Sequence, residues 1–295
     1  MHIRNPIEWV VEQIEAPGKT IGSAQPETYW SVPQQAGVPE VQRITMADLK
    51  TALRQGVEDF AACRTDVMFL CLIYPVIGFF IAGAEAKDGL LPLLFPTAAG
   101  FVLVGPFFAI GLYEMSRQRE ITGKVSWVDM FKVLRSPSIG PIALLGLLLI
   151  AIFLVWLTVA QGIYDITLGP AAPVSLWAFV REIFTTPAGW MMTGLGWAVG
   201  VVFMAGVLAV SVVSFPLMLD RPVALRTAMA VSLTAVRRNP VQLGGWGLLV
   251  AASLFIGALP CFVGLILVLP ILGHSTWHLY RKVVRPPMTN PLSSS

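Results

Sequence analysis

Two histidines near the carboxyl end of the chain have the spacing of a binding site. His274 and His278 are four residues apart, so they fall on one face of a helix, about one turn from each other. Imidazole is a common ligand of metals and haem, and one hypothesis is therefore a metal or haem site. Trp277, Tyr280 and Arg281 surround the pair, and such residues are typical of a membrane interface, which favours simple anchoring instead. With only one other histidine in the chain to complete a ligand set, we expect no cofactor.

A second candidate site consists of Glu114 and Arg117. They are three residues apart and can pair on one helix face at the end of an apolar segment. One hypothesis is a binding site for a lipid headgroup or a substrate, and the other is an ion pair that closes the end of the helix.

Prolines and glycines interrupt several apolar segments, and an interrupted helix can turn backbone groups toward a substrate near the middle of a membrane. Kinks that serve packing give the same pattern. The positions singled out on this ground are Pro75, Gly78, Gly105, Pro106, Pro270 and Gly273.

The sequence contains no nucleophile elbow, phosphate-binding loop, metalloprotease helix or dinucleotide fingerprint. Three separated cysteines form no CxxC pair, and no metal site is predicted from them. A net charge of +3 spread along the chain argues against a nucleic-acid partner. We therefore expect no enzymatic activity.

The composition indicates the medium in which the chain folds. Of its 295 residues 56% are hydrophobic and 13% charged, about half the charged fraction of a soluble domain. A helix needs roughly 20 apolar residues to cross a bilayer. The sequence therefore predicts an all-α membrane protein with six transmembrane helices over residues 45–285, at about 67–84, 90–113, 139–164, 188–219, 241–259 and 261–280.

Polar segments flank and interrupt these spans. Residues 1–44, with five prolines, read as a flexible tail in which Pro6–Ala16 has helical spacing, and residues 286–295 read as a disordered tail. Amphipathic helices that lie in the membrane interface are predicted before spans one and five. The first begins at Thr45, with an apolar stripe of Met46, Leu49, Leu53, Val57 and Phe60 and with Lys50, Arg54, Glu58 and Asp59 facing away. The second has a stripe of Leu225, Met229, Leu233 and Val236.

The basic residues predict the orientation. All but two of the 20 lysines and arginines, Lys87 and Arg181, fall on one side of the six predicted spans. Basic residues beside spans stay preferentially in the cytoplasm, so both termini are expected there. This asymmetry supports a division of Val241–Tyr280 into two spans near Pro260, because a single span would move the last basic cluster outside.

Four stretches resemble a bacterial family of integral membrane proteins known only as a domain of unknown function. They are Arg43–Phe60, Gly105–Arg117, Phe215–Arg221 and Leu269–Arg281. The resemblance covers roughly residues 43–285. It implies a multi-span protein of the bacterial inner membrane and carries over no catalytic residue.

Two functions fit these observations. The spans contain almost no ionisable residues, which favours a non-catalytic scaffold, assembly factor or accessory subunit with a membrane-protein partner or a second copy of itself. The kinked spans leave open a passive channel or carrier for a small neutral or lipid-like solute. Haem or metal binding through His274 and His278 is a third hypothesis.

Overall fold

The computed structural model describes residues 39–87 and 89–285, and this part of the chain is helical. The predicted tails, apart from residues 39–44, lie outside the described residues, as does Pro6–Ala16. Two short 3-10 helices span Leu91–Leu93 and Trp127–Arg135. The α-helices are α1 Met46–Cys71, α2 Ile73–Lys87, α3 Leu94–Phe108, α4 Ile110–Thr122, α5 Ile139–Thr167, α6 Leu176–Thr185, α7 Pro187–Ser211, α8 Ser214–Asp220, α9 Leu225–Arg238, α10 Pro240–Ala258 and α11 Leu265–Val283.

Four helical segments in the described part of the chain are long and apolar enough to cross a membrane. They are Leu91–Thr122, Ile139–Thr167, Pro187–Asp220 and Pro240–Ala258, and they correspond to predicted spans two to five. Predicted span one falls across the junction of α1 and α2, and predicted span six falls on a turn and α11. The all-helical membrane class is therefore confirmed, with four candidate spans rather than a demonstrated six.

The apolar stretch around Pro260 is divided as the sequence predicts. Helix α10 ends at Ala258, a turn follows, and α11 begins at Leu265. The two helices approach closely at the turn, since a Cβ on Gly264 would lie 2.7 Å from the carbonyl oxygen of Gly257. Glycine at both positions lets the hairpin close.

Helices α4, α8 and α11 meet at one end of the bundle, close to three prolines. Pro106 lies in α3 just before α4, Pro216 lies in α8, and Pro270 lies in α11. Helices α4, α8 and α11 contact one another, and each also carries an amphipathic segment on its surface: Trp127–Arg135 on α4, α9 on α8, and α1 on α11. We call this end of the bundle, which contains Glu114 and Asp220, the polar end.

Helix α1 begins as predicted but presents a different face. Thr45 and Asp48 form the expected cap, with the Thr45 amide donating to the Asp48 carboxylate at 2.8 Å. The buried side, however, is Leu49, Ala52, Gly56 and Asp59, while Met46 and Val57 of the predicted stripe are 53% and 44% exposed. The prediction that Asp59 faces away from the apolar side was wrong.

Small residues explain how α1 packs. A Cβ on Gly56 would lie 2.5 Å from the backbone nitrogen of Ser275, so α1 and α11 meet nearly backbone to backbone. Helix α9 uses the same arrangement of positions, with Leu225 and Ala228 buried as Leu49 and Ala52 are. In both helices the buried line is rotated from the predicted stripe toward smaller side chains.

The segment that precedes α1 is held in place from residue 40 onward, within the predicted tail. Val41 forms an isolated antiparallel bridge with Val284, and the Arg285 amide donates to the carbonyl oxygen of Glu40. The buried Asn239 side chain accepts from the Ile44 amide at 2.9 Å and donates to the carbonyl oxygen of Gln42 at 2.9 Å. The two ends of the described chain are thereby joined.

Candidate functional site

A buried polar cluster centred on Asp59 joins three helices at the polar end. Asp59 on α1 is 6% exposed. Its carboxylate accepts from Ser116 on α4 at 2.5 Å and from His278 on α11 at 2.8 Å, and it pairs with Arg119 on α4. We call Asp59, Ser116, Arg119, His274 and His278 the Asp59 cluster. An ionised carboxylate with three donors is a well-satisfied buried charge.

The hydrogen bonds of the cluster define the protonation of His274. A carboxylate can only accept, so Ser116 uses its proton on Asp59. His274 Nδ1, which lies 2.8 Å from Ser116 Oγ, must then donate to it. In a neutral ring this leaves Nε2 as the unprotonated nitrogen, and that atom is buried.

The environment of Asp59 favours its charged form. Burial raises the pKa of the Asp59 carboxyl, but the hydrogen bonds from His278 and Ser116 outweigh burial, and the pKa lies below its usual range. The carboxylate therefore stays ionised at neutral pH and acts as an acceptor that holds α1 against α4 and α11.

The two predicted histidines thus lie on one helix face and are connected through Asp59 and Ser116. Within the described part of the chain, no group of three or more His, Cys, Asp or Glu side chains is arranged to hold a metal ion. The ligand hypothesis for His274 and His278 remains a prediction that absorption spectra and metal analysis of the purified protein can test.

A second polar network surrounds the histidines and corrects the anchoring hypothesis. Trp277 and Tyr280 are fully buried rather than directed to lipid. Trp277 Nε1 donates to Glu120 at 3.1 Å, and the Tyr280 hydroxyl donates to Asp220 at 2.6 Å. Arg281 bridges both carboxylates. The prediction of an interfacial aromatic belt at this position was wrong, because these side chains connect α11 to α4 and α8.

The predicted pair of Glu114 and Arg117 is present. Arg117 Nη1 lies 3.1 Å and 3.2 Å from the two carboxylate oxygens of Glu114, which is buried, and Gln118 donates to the same carboxylate. Both residues border a cavity of about 340 Å³ at the polar end. The pair fits both hypotheses, since an ion pair can also form the wall of a binding site.

The prolines and glycines do not form one site. Gly105, Pro106 and Gly273 border a cavity of about 80 Å³ between the helices, which is lined mainly by apolar side chains. Gly78 faces the ring of Phe262, and Gly273 faces Leu112 as well, so both also allow close packing. Pro75 does not border this cavity, and Pro270 is buried in α11.

The sequence alone did not predict that Asp59, Ser116 and Arg119 lie beside the two histidines. The available signal was the line of Ala52 and Gly56 on α1, since small residues mark a face that approaches another helix. Asp59 continues that line by three residues.

Four helical segments that are long and apolar enough to cross a bilayer indicate an integral membrane protein. Residues 94–220 match the model of a family described as "Predicted integral membrane protein (DUF2189)". The match confirms the family resemblance, over a shorter part of the chain than the roughly 43–285 expected from its motifs. No curated protein and no solved structure matches the chain.

Proposed function

We propose that this protein crosses the bacterial inner membrane six times, with both termini in the cytoplasm, and serves as a non-catalytic scaffold, assembly factor or accessory subunit of a membrane complex. The observation that carries the proposal is that ionisable side chains at the polar end form hydrogen bonds and ion pairs with one another across helices. Asp59, Glu120 and Asp220 each accept hydrogen bonds from another helix.

These contacts between helices support a structural role. Groups that catalyse proton transfer or nucleophilic attack must be within reach of a substrate. Here the carboxylates hold α1, α4, α8 and α11 together, and they give the polar end a fixed shape on which a partner can assemble.

Two features support the additional spans. Helices α1 and α2 follow each other with a single-residue interruption at Leu72, and α11 begins with an apolar half, from Leu265 to Leu272, that starts at a tight turn. With six crossings, the basic residues of the polar end lie in the cytoplasm. Accessibility tags at the two ends of the full chain test this arrangement, and tags on opposite sides of the membrane would overturn it.

The functional test is copurification in mild detergent from cells that express the tagged protein at its native level. We expect a partner at constant stoichiometry, or a defined homo-oligomer. Two double variants locate the interface: Arg226→Ala with Arg237→Ala on α9 at the polar end, and Trp177→Ala with Phe184→Ala on α6, all of which change exposed side chains. Selective loss of the partner in the first double variant supports the polar end as the platform. A monomer without a partner in both detergent and nanodiscs contradicts the proposal.

The cavity between the helices supports a second candidate, passive passage of a small neutral or lipid-like solute. Gly105 borders this cavity, and a Cβ there would meet no atom within 4 Å, so Gly105→Leu is the variant chosen to reduce its volume. Gly206→Leu is the matched control, because Gly206 is equally open and does not border the cavity. Flux of a neutral solute into liposomes that falls only in Gly105→Leu favours this candidate, and absence of flux rejects it.

A further inference from the structure

The cavity at the polar end, the larger of the two described above, is lined by charged side chains that have no role in either proposed function. It lies between the middle of α4, the 3-10 helix Trp127–Arg135 with the turn after it, and the end of α8. Its volume of about 340 Å³ falls in the range of small-molecule sites, about 300–1,000 Å³. Four basic side chains, Arg117, Lys132, Arg135 and Arg221, border it together with two carboxylates.

Both carboxylates already have cationic partners. Glu114 is held by Arg117 and Gln118, as described above. Asp220 accepts from Tyr280 and also pairs with Arg281, which is not among the residues that border the cavity. Two of the basic residues also have acidic neighbours, since Arg221 contacts Asp220 at 3.4 Å and Lys132 pairs with Asp129 at 2.8 Å. The lining still has four basic and two acidic side chains, and an anion would complement its net positive charge.

The donors around the cavity have the chemistry of a phosphate site. Arginine presents a planar set of N–H donors that matches phosphate oxygens. Arg117 borders the cavity with its side chain 29% exposed, and its bonds to Glu114 are made through Nη1. Ser136 and Ser138 add hydroxyl groups on the facing wall.

Exposed apolar side chains adjoin the basic ones. Leu134 is 59% exposed and Ile139 is 36% exposed, and they flank the segment from Arg135 to Ser138. Basic pockets between membrane helices are typical sites for anionic lipid headgroups, whose acyl chains need such an apolar neighbour.

We propose that this cavity binds the phosphate group of an anionic ligand, either a phospholipid headgroup or a soluble phosphate ester. The inference goes beyond the proposed scaffold role and does not depend on it. A protein that has a partner but binds no phosphate would contradict only this inference, and one that binds phosphate but has no partner would contradict only the scaffold role.

The experiment uses the delipidated full-length protein with two probes, phosphatidylglycerol and glycerol phosphate. Binding is measured by native mass spectrometry and titration. The test variant is Lys132→Gln with Arg135→Gln, both exposed, so the fold is expected to persist. The matched control is Arg226→Gln with Arg237→Gln, which removes the same charge from α9 outside the cavity.

We expect the test variant to bind at least about tenfold more weakly than the wild type, since hydrogen bonds to charged groups are lost, and the control to bind as the wild type does. Binding of both probes assigns the site to phosphate esters in general, and binding of the lipid alone assigns it to a headgroup. Equal weakening in both double variants, or no binding of either probe to the wild type, overturns the proposal.

Discussion

Asp59 and His278 are separated by 219 positions in the chain, yet Asp59 Oδ2 lies 2.8 Å from His278 Nε2. This contact joins α1, the first described helix, to α11, the last. Because Arg119 and Ser116 of α4 contact the same carboxylate, one side chain fixes the relative position of three helices. At the polar end, charge and hydrogen bonding therefore add to the apolar packing of the bundle.

Removal of the Asp59 charge is expected to loosen the polar end. In Asp59→Asn the side chain keeps its size but loses its charge, and its hydrogen bonds to Ser116 and His278 weaken. We expect a loss of about 1–3 kcal/mol in the free energy of unfolding. The share of Arg119 is reduced by solvent, since its side chain is 33% exposed. Unfolding in detergent, followed by circular dichroism, measures the effect.

The control for Asp59→Asn is Glu58→Gln, one residue earlier on the same helix. Glu58 pairs only with Arg54 among the ion pairs described, and both side chains are more than half exposed. Such a pair contributes little, so we expect a change below about 0.5 kcal/mol. Equal effects at positions 58 and 59 would mean that the Asp59 cluster does not stabilise the fold.

The stabilisation by Asp59 depends on pH in a predictable direction. Its pKa in the folded protein lies below the ordinary value of 3.8, so the unfolded chain takes up a proton first as pH falls. The contribution is therefore complete above about pH 5 and declines as pH falls below about 4 toward the folded pKa. The difference in stability between the wild type and Asp59→Asn should shrink over this range. A difference that stays constant down to pH 3 is incompatible with an ionised Asp59.

Hydropathy was sufficient to predict the long helices. The predicted bounds of spans two to five differ from the candidate spans by a few residues at most sites, apart from the polar extension of α4 to Thr122. A run of apolar residues is a local property, and the medium determines its structure almost alone. The hairpin turn at Pro260 was predictable for the same reason, supported by the distribution of basic residues.

The polar end was not predictable in the same way. Which face of α1 is buried depends on α11, some 220 residues later, and Gly56 and Ser275 give no pairwise signal in a single sequence. Asp59 was assigned to solvent because a charged residue on an amphipathic helix is usually exposed. The buried hydrogen bond of Tyr280 with Asp220 was not predictable either. On an isolated span, Trp277 and Tyr280 would form an aromatic belt at the membrane interface, and the sequence pattern favours that interpretation.

The contact between α1 and α11 predicts a steric limit at Gly56. Alanine improves an exposed helical position by up to about 1 kcal/mol relative to glycine, but at Gly56 its Cβ would meet the backbone of Ser275. Overpacking of this kind costs about 1–3 kcal/mol, so Gly56→Ala should lower the unfolding temperature. The control is Gly83→Ala in α2, where a Cβ meets nothing within 4 Å, and the unfolding temperature should be unchanged or slightly higher. Equal effects at the two glycines would argue against close packing.

Removal of the Asn239 side chain is expected to loosen the segment that precedes α1. Its side chain is 2% exposed and holds the segment before α1 through the Ile44 amide and the Gln42 carbonyl. In Asn239→Ala both bonds are lost, and amide hydrogen exchange at residues 40–45 should become roughly tenfold faster or more. Arg285→Gln is the control, because its ion pair with Glu40 is more than half exposed and contributes little. Exchange–mass spectrometry of the peptide from this segment distinguishes the two variants. If both accelerate exchange equally, the segment is held by charge at the surface rather than by the buried amide.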